Sequence, residues 1–197
     1  PMNPRRWIGL LVLLLLAMFT ALAFGTIDLS MAEMLGAIRG SGEAEHLLVV
    51  PELRLPRTVL AALLGASLGI SGAALQGVLR NPLAEPYLLG VSGGAGVGAV
   101  AAYSAGAAFA FIPVAAFAGA LIAITVALFV AHATHGRGDP RVLVMAGVIV
   151  GAFANAAIMI VMANADLSTV RSALWWMMGS VADATWTQAA WLAGYLA

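Results

Sequence analysis

The sequence predicts an all-α, polytopic transmembrane helical bundle, and three observations carry that expectation. Hydrophobic residues make up 62% of the chain and charged residues only 9%, against roughly 25% charged in an ordinary soluble domain. Between Glu85 and Arg137 no Asp, Glu, Lys or Arg occurs, a run too long for a single crossing of roughly 20 residues. The apolar runs are separated by short polar segments rich in Gly, Pro and capping residues, which mark helix ends. Together these give about five full spans, a partial sixth, and short helices on the outer surface. Residues 1–197 read as one transmembrane domain.

The first span covers residues 7–24 and follows Arg5 and Arg6, so its N-terminus belongs on the cytoplasmic side. Ala21 and Ala23 resemble a signal-peptidase site, but a signal core runs only about 7–15 residues and many spans follow. From 28 to 52 the chain turns polar. Ser30 and Glu33 form a capping-box pattern, opening a short amphipathic helix to about Ile38 that Arg39, Gly40 and Gly42 end.

The second span covers 58–79. Gly65, Gly69, Gly72 and Gln76 share one face at helical spacing, where small residues permit close approach of helices in lipid and Gln76 is expected to point into the bundle. A third helix begins near Tyr87 or Ser92, with Gly90, Gly94 and Gly98 four residues apart. Pro113 opens the fourth span, to about Val130, and residues 132–140 form a polar loop. The fifth span covers 142–162, with Asn155 inside it and Gly147 and Gly151 spaced for packing.

Residues 164–169 break the pattern and offer caps for a short helix through Met178, stopped at Gly179. Thr185 and Gln188 form a second capping box before a sixth span from Trp186. The 12 residues from there reach about 18 Å, against a core of about 30 Å. This is the expected pattern of the N-terminal portion of a longer protein. By alternation Arg5, Arg6, Arg80, Arg137 and Arg141 lie inside, and Arg39, Arg54, Arg57 and Arg171 outside.

Composition also excludes functions. There is no cysteine, hence no disulfide or thiolate metal site, and all nine basic residues are arginine, hence no P-loop lysine and no Schiff base. Net charge is zero, and no basic cluster points to nucleic acid. Ser92 to Gly98 is glycine-rich like a nucleotide loop, but no strand precedes it and no lysine follows. Gly90-Val91-Ser92-Gly93 matches the short pattern of intramembrane serine proteases. Such an enzyme needs a histidine base at membrane depth, and His132 and His135 lie in the polar loop instead. They also lack a convergent carboxylate for a metal site.

Two polar motifs stand out. Arg54-Leu55-Pro56-Arg57 sits where the outer segment enters the second span. Its arginines are suited either to snorkelling at the interface or to docking carboxylates. Residues 80–90 place Arg80, Asn81, Glu85, Pro82 and Pro86 between membrane-grade helices, an expensive arrangement unless it lines a cavity or interface.

These motifs, with Ser71-Gly72-Ala73-Ala74-Leu75-Gln76, Leu89-Gly90-Val91-Ser92-Gly93-Gly94 and Trp175-Trp176-Met177-Met178-Gly179-Ser180, occur in order. Together they resemble the permease subunits of binding-protein-dependent ABC importers for iron–siderophore complexes, haem and cobalamin. The resemblance covers essentially the whole chain. It implies about ten helices per subunit, a permease homodimer in the bacterial inner membrane, two ATP-binding subunits and a periplasmic substrate-binding protein. It assigns no catalytic residue, metal ligand or cofactor to this chain.

By the same resemblance Arg54 and Arg57 dock the binding protein, and Asn81, Pro82 and Leu83 form the cytoplasmic gate. The path follows residues 142–180, with Asn155, Met159, Asn164 and Ser168 as candidate lining. The family's coupling helices come after the sixth span, beyond Ala197, so this segment by itself is not expected to respond to ATP hydrolysis. A secondary transporter or channel is the alternative, since broken helices at mid-membrane serve those proteins too; few intramembrane acids argue against proton coupling.

Overall fold

The computed structural model describes residues 4–25, 27, 29–134 and 139–197. Among them the secondary structure is entirely helical. The elements are α1 (Pro4–Ala23), α2 (Met31–Ile38), α3 (Ala44–Leu48), a π turn (Val49–Arg54), α4 (Leu55–Leu79), a 3₁₀ turn (Pro86–Leu89) and α5 (Val91–Ser104). A second 3₁₀ turn (Phe109–Phe111) leads to α6 (Ile112–Ala133), followed by α7 (Pro140–Ala163), α8 (Leu167–Met178) and α9 (Trp186–Leu196). The chain divides into two compact units, one of residues 1–68 with 180–197 and one of residues 69–179.

In the first unit, α1 buries none of its residues and presents Leu10 to Leu16 outward. An exposed leucine-rich surface of this kind is suited to lipid rather than water. Only its C-terminal end meets a core, where Phe19, Leu22 and Ala23 pack on Leu29, Met34, Ala37 and Val50. Ser30 caps α2 through a complete capping box with Glu33. The Ser30 hydrogen bonds hold the Glu33 carboxyl below its ordinary pKa.

The polar stretch before the second span holds more structure than its composition suggests. α3, the π turn and α4 follow without a break over Ala44–Leu79. A π turn is uncommon, and the prolines explain this one. The Leu55 N–H donates to the Val50 carbonyl, a π-type bond. The next residue, Pro56, has no N–H to offer, so the Pro51 carbonyl has neither its α nor its π partner. The Trp186 indole Nε1 donates to it at 2.9 Å. Thr185 caps α9 in a second capping box with Gln188, which sets Trp186 at the first helical position.

The second unit is built around α5, which packs against α6, α7 and α8. Glycine makes this possible. A Cβ on Gly98 would lie 2.8 Å from the Ala115 carbonyl carbon and 3.2 Å from Ala116 Cα, so the α5 and α6 backbones are in direct contact. Gly94 meets Gly119 in the same way. Ala99, Val100, Ile112, Ala116, Ile158 and Ala173 form the core on either side of α5.

Among the described residues four helical stretches are long and apolar enough to cross a membrane: Pro4–Ala23, Ala44–Leu79, Phe109–Ala133 and Pro140–Ala163. The expected third span is α5, of only 14 residues, about 21 Å long. Gly90, at φ 74°, breaks it from the preceding 3₁₀ turn. Gln76 is exposed rather than directed into a core. Residues 135–138 of the predicted polar loop, with His135 and Arg137, lie outside the described residues.

Candidate functional site

The segment after α4 owes its shape to one unusual residue. α4 ends in a Schellman motif, in which Arg80 N–H donates to Gly77 O at 3.4 Å and Asn81 N–H to Gln76 O at 3.1 Å. That motif needs a left-handed residue, usually glycine; here it is Arg80, with φ 48°. Left-handed backbone at a non-glycine residue is costly and clusters at functional sites. Pro82 then prevents the helix from resuming, and the Asn81 Oδ1 accepts from Leu83 N–H at 3.0 Å, closing an Asx turn. Leu83 is left 80% exposed.

Asn81 lines a cleft of about 520 Å³ with Leu79, Arg80, Asp139, Arg141 and Met145; Pro82 and Leu83 lie outside it. The other end of the segment is fixed. Leu89 and Gly90 are buried, and a Cβ on Gly90 would approach the Gly147 carbonyl oxygen to 2.8 Å.

The residues expected to line a path fall into two sets. Asn155 and Met159 lie one turn apart on α7 and are both exposed, as are Phe153 and Ile160 further round the helix, while Gly147 and Ile158 are buried. Asn164, at the end of α7, donates from Nδ2 to Ile160 O at 2.7 Å and lines a cleft of about 430 Å³ with Ser104, Ile160 and Asp166. Ser168 serves the cap of α8. Its backbone N–H donates to Asp166 Oδ2 at 3.1 Å, and its hydroxyl donates to the same oxygen. The hydrogen bonds from Ser168 and then Thr169 hold the Asp166 carboxyl well below the usual carboxylate range.

The two outer arginines have separate fates. Arg57 is exposed. Arg54 is only 8% exposed. Its Nη1 donates to Leu22 O at 2.7 Å and Ala23 O at 3.1 Å, and its Nη2 donates to Ile27 O. The two arginines expected to dock a partner thus differ in setting: the Arg54 guanidinium donates to three backbone carbonyls, whereas Arg57 is exposed. Both arginines line a cleft of about 330 Å³ with Phe24, Val49, Leu53 and Thr58. The hydrogen bond between Trp186 and Pro51 is not legible in the sequence, although prolines five apart at 51 and 56 are the spacing that orphans a π-turn carbonyl. Among the described residues no group of three His, Cys, Asp or Glu side chains is arranged to hold a metal ion.

Long apolar helices, buried glycine contacts and breaker-rich polar turns define a multi-pass helical membrane protein. The chain belongs to the FecCD transport family, whose sequence pattern matches residues 13–197. It is 39% identical over 189 residues to the achromobactin transport system permease protein of Dickeya dadantii, covering 94% of this chain and 54% of that one. It is 42% identical over 139 residues to the cobalamin import system permease protein of Halobacterium salinarum, covering 70% and 37%. The vitamin B12 import system permease protein of Salmonella paratyphi A is 38% identical over 196 residues, covering 96% and 56%. The chain thus spans about half the length of the curated relatives it matches.

Its fold is similar to that of a solved structure described as an inward-facing, metal-chelate type ABC transporter. The TM-score is 0.79 at 24% identity, over 95% of this chain and 57% of that chain.

Proposed function

We propose that this chain forms part of the membrane-spanning permease subunit of an ABC importer, working as a homodimer in the bacterial inner membrane. Two ATP-binding subunits drive it, a periplasmic binding protein delivers the cargo, and the cargo is a metal chelate of the siderophore, haem or cobalamin class. Family membership together with relatives that carry achromobactin and cobalamin supports the transport reading. The observation that carries it to a site is the turn after α4, where a strained Arg80 and the Asx turn at Asn81 hold Leu83 exposed at a helix end. Exposed apolar residues on a turn are suited to a closing contact between two copies at the inner mouth.

In this reading Asn81, Pro82 and Leu83 form the gate, and Arg54 and Arg57 dock acidic groups on the binding protein. The cargo passes along α7 and α8 by Asn155, Met159, Asn164 and Ser168. The chain itself performs no covalent chemistry, and its lining is weakly polar, which suits release of a bulky chelate.

The test is a single cysteine at position 81 in the full-length permease, assembled with its ATP-binding subunits in lipid nanodiscs. A membrane-impermeant thiol reagent is expected to label it in one nucleotide state and spare it in another. Labelling that is the same, or absent, in every nucleotide state overturns the gate.

A further inference from the structure

Two helical registers compete for one donor at the end of the turn that carries Arg54. In an α-helix the Leu55 N–H would donate to the Pro51 carbonyl, four residues back. Here it donates to the Val50 carbonyl, five back, and leaves the Pro51 carbonyl open. The π register is thus favoured only when that orphan finds another donor. Pro56, next along the helix, has no N–H to give. The Trp186 indole Nε1 supplies one at 2.9 Å.

Packing agrees with this register. Val50 is fully buried, and Leu55 packs on the same core with Leu29, Met34 and Ala37. Residues five apart lie about 140° apart around an α-helix, and the wider π turn brings them to one side. Trp186 itself is 44% exposed, so burial does not place its ring. Its chain does: Thr185 caps α9, the Ala184 N–H donates to the Val181 carbonyl at 3.2 Å, and Ala184 is buried. Val181, in the same turn, lines the cleft that Arg54 and Arg57 also line.

We propose that Trp186 is a positioning residue: its indole N–H selects the π register of residues 49–54 and so sets how Arg54 and Arg57 face the binding protein. Reversion to the α register would turn the residues beyond it by about 100°, the angle of one residue. The docking half of this inference rests on the proposed function, whereas the choice of register does not.

The test uses the full-length permease assembled with its ATP-binding subunits in lipid nanodiscs. Trp186→Phe keeps an aromatic ring and loses the donor. Pro56→Ala restores an N–H five residues after Pro51, which serves the π register without the indole. In the parent, Trp186→Phe is expected to lower the unfolding temperature and to weaken binding-protein affinity about fivefold, the loss of one ordinary hydrogen bond. The binding-protein concentration that half-saturates ATP hydrolysis should rise in step, with the maximal rate unchanged. In the Pro56→Ala background the same substitution should alter neither affinity nor unfolding temperature. Pro56→Ser carries the same N–H and is the second background, should Pro56→Ala not assemble.

Parental affinity in Trp186→Phe would overturn the positioning role. An equal loss in both backgrounds would do so too, because it marks the ring as packing alone. Arg54→Gln combined with Arg57→Gln tests the docking reading separately: unchanged affinity and an unchanged salt slope would sink it. The register is then decided by unfolding temperature alone. A Trp186→Phe loss that disappears with Pro56→Ala supports it, and one that persists overturns it.

Discussion

α4 and α5 flank the same polar turn and are both rich in glycine, yet their glycines do opposite things. On α5, Gly94 and Gly98 bring the backbone against α6, and Gly90, the residue that caps its N-terminus, meets Gly147 of α7. On α4, a Cβ at Gly65, Gly69, Gly72 or Gly77 would meet nothing within 4 Å among the described residues. The left-handed position at each border differs in the same sense. Gly90 adopts its φ of 74° freely, while Arg80 holds 48° against steric resistance. Spacing of small residues therefore states that a helix can be approached closely; it does not state that it is. Leu79 packs with Ala84 and Leu89 at the α4 border, but only the α5 border is packed through its glycines, and the glycine face of α4 lies open.

Substitutions that add volume break this difference most directly. Gly98→Leu should cost about 3 kcal/mol, because the side chain is driven into the α6 backbone; urea or thermal unfolding in detergent micelles would measure it, and a loss near zero would mean α5 and α6 separate readily. Gly90→Ala should cost about 2 kcal/mol, from the left-handed backbone and from the contact with Gly147. Arg80→Gly has the reverse sign, with an expected gain of about 1 kcal/mol as the strain is released. Transport assays on the same variant would show whether the gate works without that strain. Gly72→Ala is the mildest, a gain of about 0.5 kcal/mol from lower backbone entropy in the unfolded chain. A loss like that of Gly98→Leu would show that the α4 stripe meets another helix after all.

Local signals were the legible part of the sequence. The capping boxes at Ser30 and Thr185, the proline start of α6 and the glycine stop of α8 at Gly179 appear where their chemistry places them. Each depends on residues within one turn. What was not legible depended on distance. The stretch 28–52 reads as polar with one short helix to about Ile38, yet residues 44–54 are helical too, because α2 and the end of α1 supply the core that orders them. Arg54 and Arg57 are indistinguishable by type and spacing, and only the carbonyls at the end of α1 separate them. Gln76 looked inward because a polar group in lipid needs a partner, and that reasoning names no particular one. The path residues Asn155, Met159, Asn164 and Ser168 and the gate at Asn81, Pro82 and Leu83 came from family resemblance, and they are tested by labelling and transport rather than by packing.

The hydrogen bond from Trp186 to the Pro51 carbonyl joins residues 135 positions apart, inside a unit whose two pieces are residues 1–68 and 180–197. During synthesis the unit of residues 69–179 is whole before the last partner of the first unit has left the ribosome. For all that interval the Pro51 carbonyl has no indole to accept from. The order of synthesis is therefore nested: residues 69–179 are made after the 49–57 turn and before the indole that supplies its missing donor.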